Sequence, residues 1–182
     1  MSTIESTTIA PAGTTWAADP VHSDVAFEVE YAGVSTFRGS FREFDATLDG
    51  STLAGSARVA SVDVKDEQLA GHLQSPDFFD AERYPEISFR ADTLSLADDG
   101  TVTGSGELTI KGATNPVTLQ GRLASAPSVD PFGRERLGLT LETAIDRNDF
   151  GVAWNAPNQS GGNYLGDEVT LKADLTFVRQ EN

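Results

Sequence analysis

The stretch Val102–Leu123, VTGSGELTIKGATNPVTLQGRL, decides the fold. Val102, Gly104, Gly106, Leu108 and Ile110 share one parity, and Ser105, Glu107, Thr109 and Lys111 take the other. That is the alternation of a strand with one face buried and one face wet. Gly112 to Pro116 reads as a turn, after which Val117, Leu119, Gly121 and Leu123 face inward again. Two such runs joined by a short glycine-containing link predict an antiparallel hairpin.

The same pattern extends in both directions. Val25, Phe27, Val29 and Tyr31 alternate with Asp24, Glu28 and Glu30. Phe37, Gly39 and Phe41 keep odd parity, whereas Phe44, Ala46 and Leu48 keep even parity. A bulge near Arg42-Glu43 supplies the extra residue that such a switch requires. Leu53 to Val64 and Ile87 to Ala91 add two further strands. Leu137, Leu139, Leu141 and Ile145 form another, and Val169 to Phe177 close the series. Asp49-Gly50 and Asp99-Gly100 are hairpin signals. About eight strands, each polar on one face, suit a sheet closed on itself. The expectation is an all-β, extended eight-stranded antiparallel lipocalin-like barrel over residues 15–180, behind a disordered polar tail over 1–14.

One stretch breaks the period: Asp66–Phe89, DEQLAGHLQSPDFFDAERYPEISF. Leu69 and Leu73 lie four apart, and Asp66 can cap a helix. Ser75-Pro76 reads as a second helix start, and Tyr84-Pro85 restores extended geometry. A short helical insertion over about 66–80 is thus expected to cover one end of the barrel.

Composition narrows the function. The 182-residue chain carries a formal charge of −15 and no cysteine. The charge argues against nucleic acid and against electrostatic docking on anionic lipid. The absence of cysteine removes disulfides and thiolate metal sites. The start, MSTIESTTIAPAGTT, has neither a basic nor an apolar leader segment, so a cytoplasmic location is the expectation.

Whether the barrel is filled or hollow turns on inward glycines and aromatics. Each of Gly39, Gly104, Gly106 and Gly121 alone reads more readily as a kink than as a void. Four on one face, beside Phe27, Phe41 and Phe89, point to an aromatic-walled cavity, with a filled core as the alternative. The expected cavity-facing set is Phe27, Val29, Phe41, Phe44, Phe79 and Phe89, with Leu108, Leu139, Leu141, Arg147 and Trp154. An inward Arg147 needs partners. An ion pair closing one barrel end is the plainer reading, and a contact to a ligand head group is the functional one. His22 and His72 lack metal-binding spacing, no GxSxG elbow exists, and adjacent His22 and Ser23 point to opposite faces of an extended segment. No catalytic residue and no metal site is therefore assigned.

Five stretches together resemble the YceI-like family of lipocalin-like, polyisoprenoid-binding proteins. They are DPVHSDVAFEVEYAG, FRGSFREF, SVDVKDEQLAGHLQSPDFFDAERYPEISF, GELTIKGATNPVTLQG and DRNDFGV. The likeness spans about Trp16 to Phe177. It places His22, Ser23, His72, Leu73, Phe78, Phe79, Tyr84, Pro85 and Arg147 on the family's motif positions. It implies a long apolar pocket for an isoprenoid chain, such as that of a quinone or a polyprenyl lipid. Because such a chain is already out of water in a bilayer, a pocket that only matches the membrane suits a carrier, buffer or sensor without turnover or required cofactor. Transient membrane contact and a homodimer are compatible with that reading. The alternative is an enzyme acting on a hydrophobic small molecule inside the barrel.

Overall fold

The computed structural model describes residues 8–124, 127–159 and 161–181. Eight antiparallel strands follow one another around a closed barrel. β1 comprises Thr15–Ala18 and Asp24–Tyr31, and β2 comprises Ser35–Phe41 and Phe44–Asp49. β3 comprises Thr52–Arg58 and Val62–Asp63. β4 is Glu86–Ala91, β5 Thr101–Ile110, β6 Ala113–Leu123, β7 Glu135–Asp146 and β8 Leu165–Arg179. Each strand pairs with the next. β8 then closes the ring, holding β7 along one edge and both pieces of β1 along the other.

The bends have local causes. β1 is interrupted by a 3-10 turn at Pro20–His22, where the Asp19 carboxylate accepts from Val21 N at 3.0 Å. β2 breaks at Arg42 and Glu43, whose N–H groups reach the Ser61 carbonyl at 3.1 Å and the Ser61 Oγ at 3.0 Å. These two residues account for the parity switch read from the sequence.

The β5–β6 turn is tighter than expected. Lys111 and Gly112 have φ of 51° and 76°, the geometry of a two-residue hairpin that matches strand twist. Pro116 lies within β6, opposite Glu107. A proline is tolerated there because β7 pairs only with Gln120–Leu123, so the nitrogen of Pro116 has no ladder bond to make on that side.

The helix is shorter than the sequence suggests. α1 covers Glu67–Gln74, with Asp66 accepting from Leu69 N at 3.0 Å. Ser75 is its C-terminal cap in extended geometry, not the start of a second helix. Its Oγ accepts from Asp77 N at 3.3 Å, and its carbonyl accepts from Phe78 and Asp80. Residues 75–79 therefore form turns that fold Phe78 and Phe79 back beside Leu73.

The barrel interior divides into two halves. Trp16, Leu48, Leu94, Val102, Leu139 and Phe177 are fully buried and fill one half. The supposed polar tail contributes to it, because Ile9 and Ala10 are buried in this core. Ala10 N donates to Gly50 O at 3.0 Å, and Ile9 N to Ser51 Oγ at 3.3 Å. Burying two apolar side chains outweighs the freedom lost by ordering so short a segment. Residues 1–7 of the expected tail lie outside the described residues.

A charged cluster ties the filled end together. Arg136 Nη1 meets Asp19 at 2.8 Å, and its Nε meets Asp130 at 2.8 Å. The Arg136 guanidinium, and then His22, hold Asp19 well below the usual carboxylate range. The Arg134 backbone N–H and the Arg136 guanidinium do the same for Asp130. Groups with depressed folded pKa stabilise the fold fully above their unfolded pKa, near 3.8, and lose that contribution as pH falls. Chemical denaturation of the parent protein should show stability dropping steeply below about pH 4. Arg136→Met should be less stable at neutral pH and show a shallower acid limb. Superimposable acid limbs would rule out this origin.

Candidate functional site

The other half of the barrel is hollow, enclosing about 510 Å³. That is the size of a ligand site, far larger than a packing defect. Its walls come from alternate residues of nearly every strand. Val25, Phe27 and Val29 come from β1; Phe37, Phe41 and Phe44 from β2; Ile87 and Phe89 from β4. Leu108, Val117, Leu119, Leu141 and Ile145 continue the wall, and Val169, Leu171 and Ala173 close it. Several of these point inward yet keep accessible surface, among them Phe44, Phe89 and Leu171. Side chains on the inner face of a closed barrel keep such surface only where the interior is empty.

Aromatic edges set the shape. The Phe27 and Phe41 rings lie 5.8 Å apart, and Phe41 meets Phe79 edge-on at 5.9 Å. His72 of α1 stands edge-on to both Phe78 and Trp154, at 4.9 Å and 4.8 Å. This trio, with Leu69 and Leu73, makes the helical wall. Tyr31 and Tyr164 pair at 6.1 Å and stay 46% and 36% exposed, so they form the rim.

Arg147 opens a 3-10 turn at the end of β7 and is only 4% exposed. Its Nε donates to Gly166 O at 2.8 Å. Its Nη1 donates to Val152 O at 2.7 Å and to Trp154 O at 2.8 Å. The expected ion pair is thus corrected: among the described residues its bonds go to carbonyls. The loop carbonyls needed donors once this segment left the sheet, and a guanidinium supplies several in one plane. Burial pushes its pKa down, while Asp167 and Asp146 nearby oppose that and favour the cation. Nη2 has no partner.

Ten of the eleven expected residues border this cavity: Phe27, Val29, Phe41, Phe44, Phe79, Phe89, Leu108, Leu141, Arg147 and Trp154. Leu139 does not. It shares the inward parity of Leu141 but lies two residues deeper, in the filled half, with 0% exposure. Parity gives the face of a strand; depth along the barrel decides between wall and floor. Val25, Ile145, Leu171 and Ala173 carried the same alternating signal and were not singled out.

The inward glycines do not make the cavity. None of Gly39, Gly104, Gly106 and Gly121 borders the cavity. The Phe27 ring covers Gly39, the Phe89 ring covers Gly106, Leu94 covers Gly104, and the Thr140 backbone crowds Gly121. These glycines admit a neighbour and do not leave a void. Of the polar candidates, the Ser23 hydroxyl is committed to the Thr176 backbone, accepting from its N–H at 2.9 Å. His22 Nδ1 meets Asp19 at 2.8 Å at the filled end, and His72 Nε2 meets Asp77 at 3.0 Å. Among the described residues, no three His, Asp or Glu side chains group to hold a metal. No described helix is long and apolar enough to cross a membrane.

Comparison with known proteins agrees with this architecture. A family model described as the YceI-like domain matches residues 16–177. The UPF0312 protein SA2479 of Staphylococcus aureus is 31% identical over 170 residues, 90% of this chain and 96% of that one. The crystal structure of Burkholderia cenocepacia BcnA superposes with a TM-score of 0.75 at 23% identity, covering 87% of this chain and 98% of BcnA. A polyisoprenoid binding domain from Saccharophagus degradans superposes with a TM-score of 0.69 at 14% identity, covering 91% of this chain and 98% of that domain.

Proposed function

The chain belongs to the YceI-like family, and on that premise we propose that its hollow half carries the isoprenoid chain of a lipid, a polyprenyl lipid or an isoprenoid quinone, without chemical turnover. The observation that carries the reading is the cavity: about 510 Å³ walled almost wholly by aliphatic and aromatic side chains. The Saccharophagus degradans domain, a polyisoprenoid binder of the same fold, supports it.

The energetics fit a carrier. Each CH₂ moved from water into the cavity is worth about 0.8 kcal/mol. Summed naively over several isoprene units, that would exceed the observed ceiling of about 20 kcal/mol. From a bilayer the gain nearly vanishes, because the chain is already out of water. The protein therefore needs only to match the membrane, and cavity length and rim chemistry set selectivity. Tyr31 and Tyr164 suit a rim that touches the membrane briefly, since their rings are apolar and their hydroxyls wet.

Native purification followed by lipid extraction and mass spectrometry should recover one isoprenoid lipid per chain. After delipidation, an added quinone should quench Trp154, which borders the cavity, more strongly than Trp16 in the filled half, and an added polyprenol should shift the Trp154 emission. A protein that is empty as purified and indifferent to both additions would overturn the reading.

A further inference from the structure

We propose that the tip of the β1–β2 hairpin and the loop carrying Tyr164 form a platform that docks on an uncharged bilayer surface; this rests on the isoprenoid reading above and names the partner of its mouth. Val34, at the tip, is 82% exposed, and Tyr31 and Tyr164 stand next to it with their rings paired at 6.1 Å. Apolar side chains grouped together in water mark a contact surface, whereas a single one does not.

The platform is built before it meets a partner. Ala32 and Gly33 have φ of 54° and 70°, a left-handed pair that turns the hairpin tightly. Ala32 N donates to Tyr164 O at 2.6 Å, Val34 N to Tyr31 O at 3.1 Å, and Tyr164 N to Ala156 O at 3.0 Å. Hairpin and loop are thus tied together, so docking orders little new backbone. Tyr31, Ala156 and Tyr164 also border the cavity. Docking there seats the mouth on the lipid surface, and an isoprenoid chain crosses without exposing its methylenes to water.

Charge selects the lipid. Glu30 lies beside the tip, and Asp167 and Glu168 stand at the start of β8. Arg38 and Lys172, on the flanking strands, are both bound to Glu28, at 3.1 Å and 3.2 Å. The rim is therefore acidic, in a chain of formal charge −15, and it repels an anionic surface over about a Debye length. Phe132, Val129 and Val21 at the filled end are exposed and apolar too. They lead to no opening, because Trp16, Leu48 and Phe177 plug the barrel there.

The chain has no cysteine, so Val34→Cys and Phe132→Cys each accept a single environment-sensitive dye. With phosphatidylcholine vesicles, emission of the first dye should move to shorter wavelength and that of the second should not. Phosphatidylserine in the vesicles should weaken the change several-fold at low salt, and added salt should restore it. Transfer of an isoprenoid quinone from loaded protein to phosphatidylcholine vesicles should speed up in proportion to vesicle concentration. Val34→Asp should slow that transfer at least about 10-fold, because a carboxylate resists leaving water. Its quinone affinity should match the parent's, since Val34 lies off the cavity wall. A silent first dye, a response from the second instead, stronger docking on anionic vesicles, or transfer independent of vesicle concentration would each overturn the docking while leaving isoprenoid binding intact. If delipidated protein binds no quinone, the isoprenoid reading fails, and the dye on Val34→Cys still decides the docking.

Discussion

Gly121→Val is expected to leave the protein largely unfolded. Gly121 sits in β6 between Val102 of β5 and Leu141 of β7. A Cβ placed on it would overlap the Thr140 carbonyl oxygen and come within 2.9 Å of Leu141 Cα. Both obstacles are backbone, so no side-chain rotation relieves them. β7 would have to withdraw, and the β6–β7 ladder holds only from Gln120 opposite Glu142 to Leu123 opposite Leu139. Losing it opens the ring. A cost of about 4 kcal/mol or more belongs to this class of clash, against a total stability of about 5–15 kcal/mol. Calorimetry should show a Tm lower by roughly 8–16 °C, or no transition. Gly71 is the control: it lies exposed in α1 with open space around it. Gly71→Ala should be neutral or stabilising by about 0.5–1 kcal/mol. A Gly121→Val protein melting within about 2 °C of its parent would show that the strands can part freely.

The contrast between these glycines marks what the sequence could and could not say. Period-two alternation is local, so it revealed the strands, their inward faces and the break at Arg42-Glu43. The capping Asp66 and the Leu69–Leu73 spacing likewise located α1. What periodicity lacks is depth. Leu139 and Leu141 look identical in the sequence, yet one is floor and the other wall, because that depends on where strands from distant parts of the chain cross. Gly121 and Gly71 look equally empty on paper, although Gly121 is pressed by another strand's backbone and Gly71 meets nothing within 4 Å. Ile9 and Ala10 were hidden for a different reason. Two apolar residues in a polar run give no periodic signal, and only the Gly50 carbonyl and Ser51 hydroxyl beside them reveal that they dock. For Arg147 the sequence offered two partners, a carboxylate or a ligand. The loop carbonyls that actually hold it belong to an irregular segment whose path no alternation encodes.

Ala173→Trp should abolish ligand binding while preserving the fold. Ala173 lies midway along β8, opposite Leu141 on one side and Val25 on the other, and it borders the hollow half. An indole there projects across the space where the chain should pass. In a packed core such an enlargement costs about 1–3 kcal/mol. Here the volume is already open, so stability should stay within about 1 kcal/mol of the parent, or rise as cavity filling often allows. Affinity for a long isoprenoid should fall at least about 100-fold, equivalent to about 2.7 kcal/mol. Leu139→Ala makes the opposite change in the filled half: a loss of about 2–5 kcal/mol in stability with affinity nearly unchanged. The two variants separate the halves of the barrel, since one acts on binding and the other on folding. If Ala173→Trp unfolds the protein, the interior at that depth is solid. If it folds and still binds at full strength, the lipid lies somewhere other than between the strands.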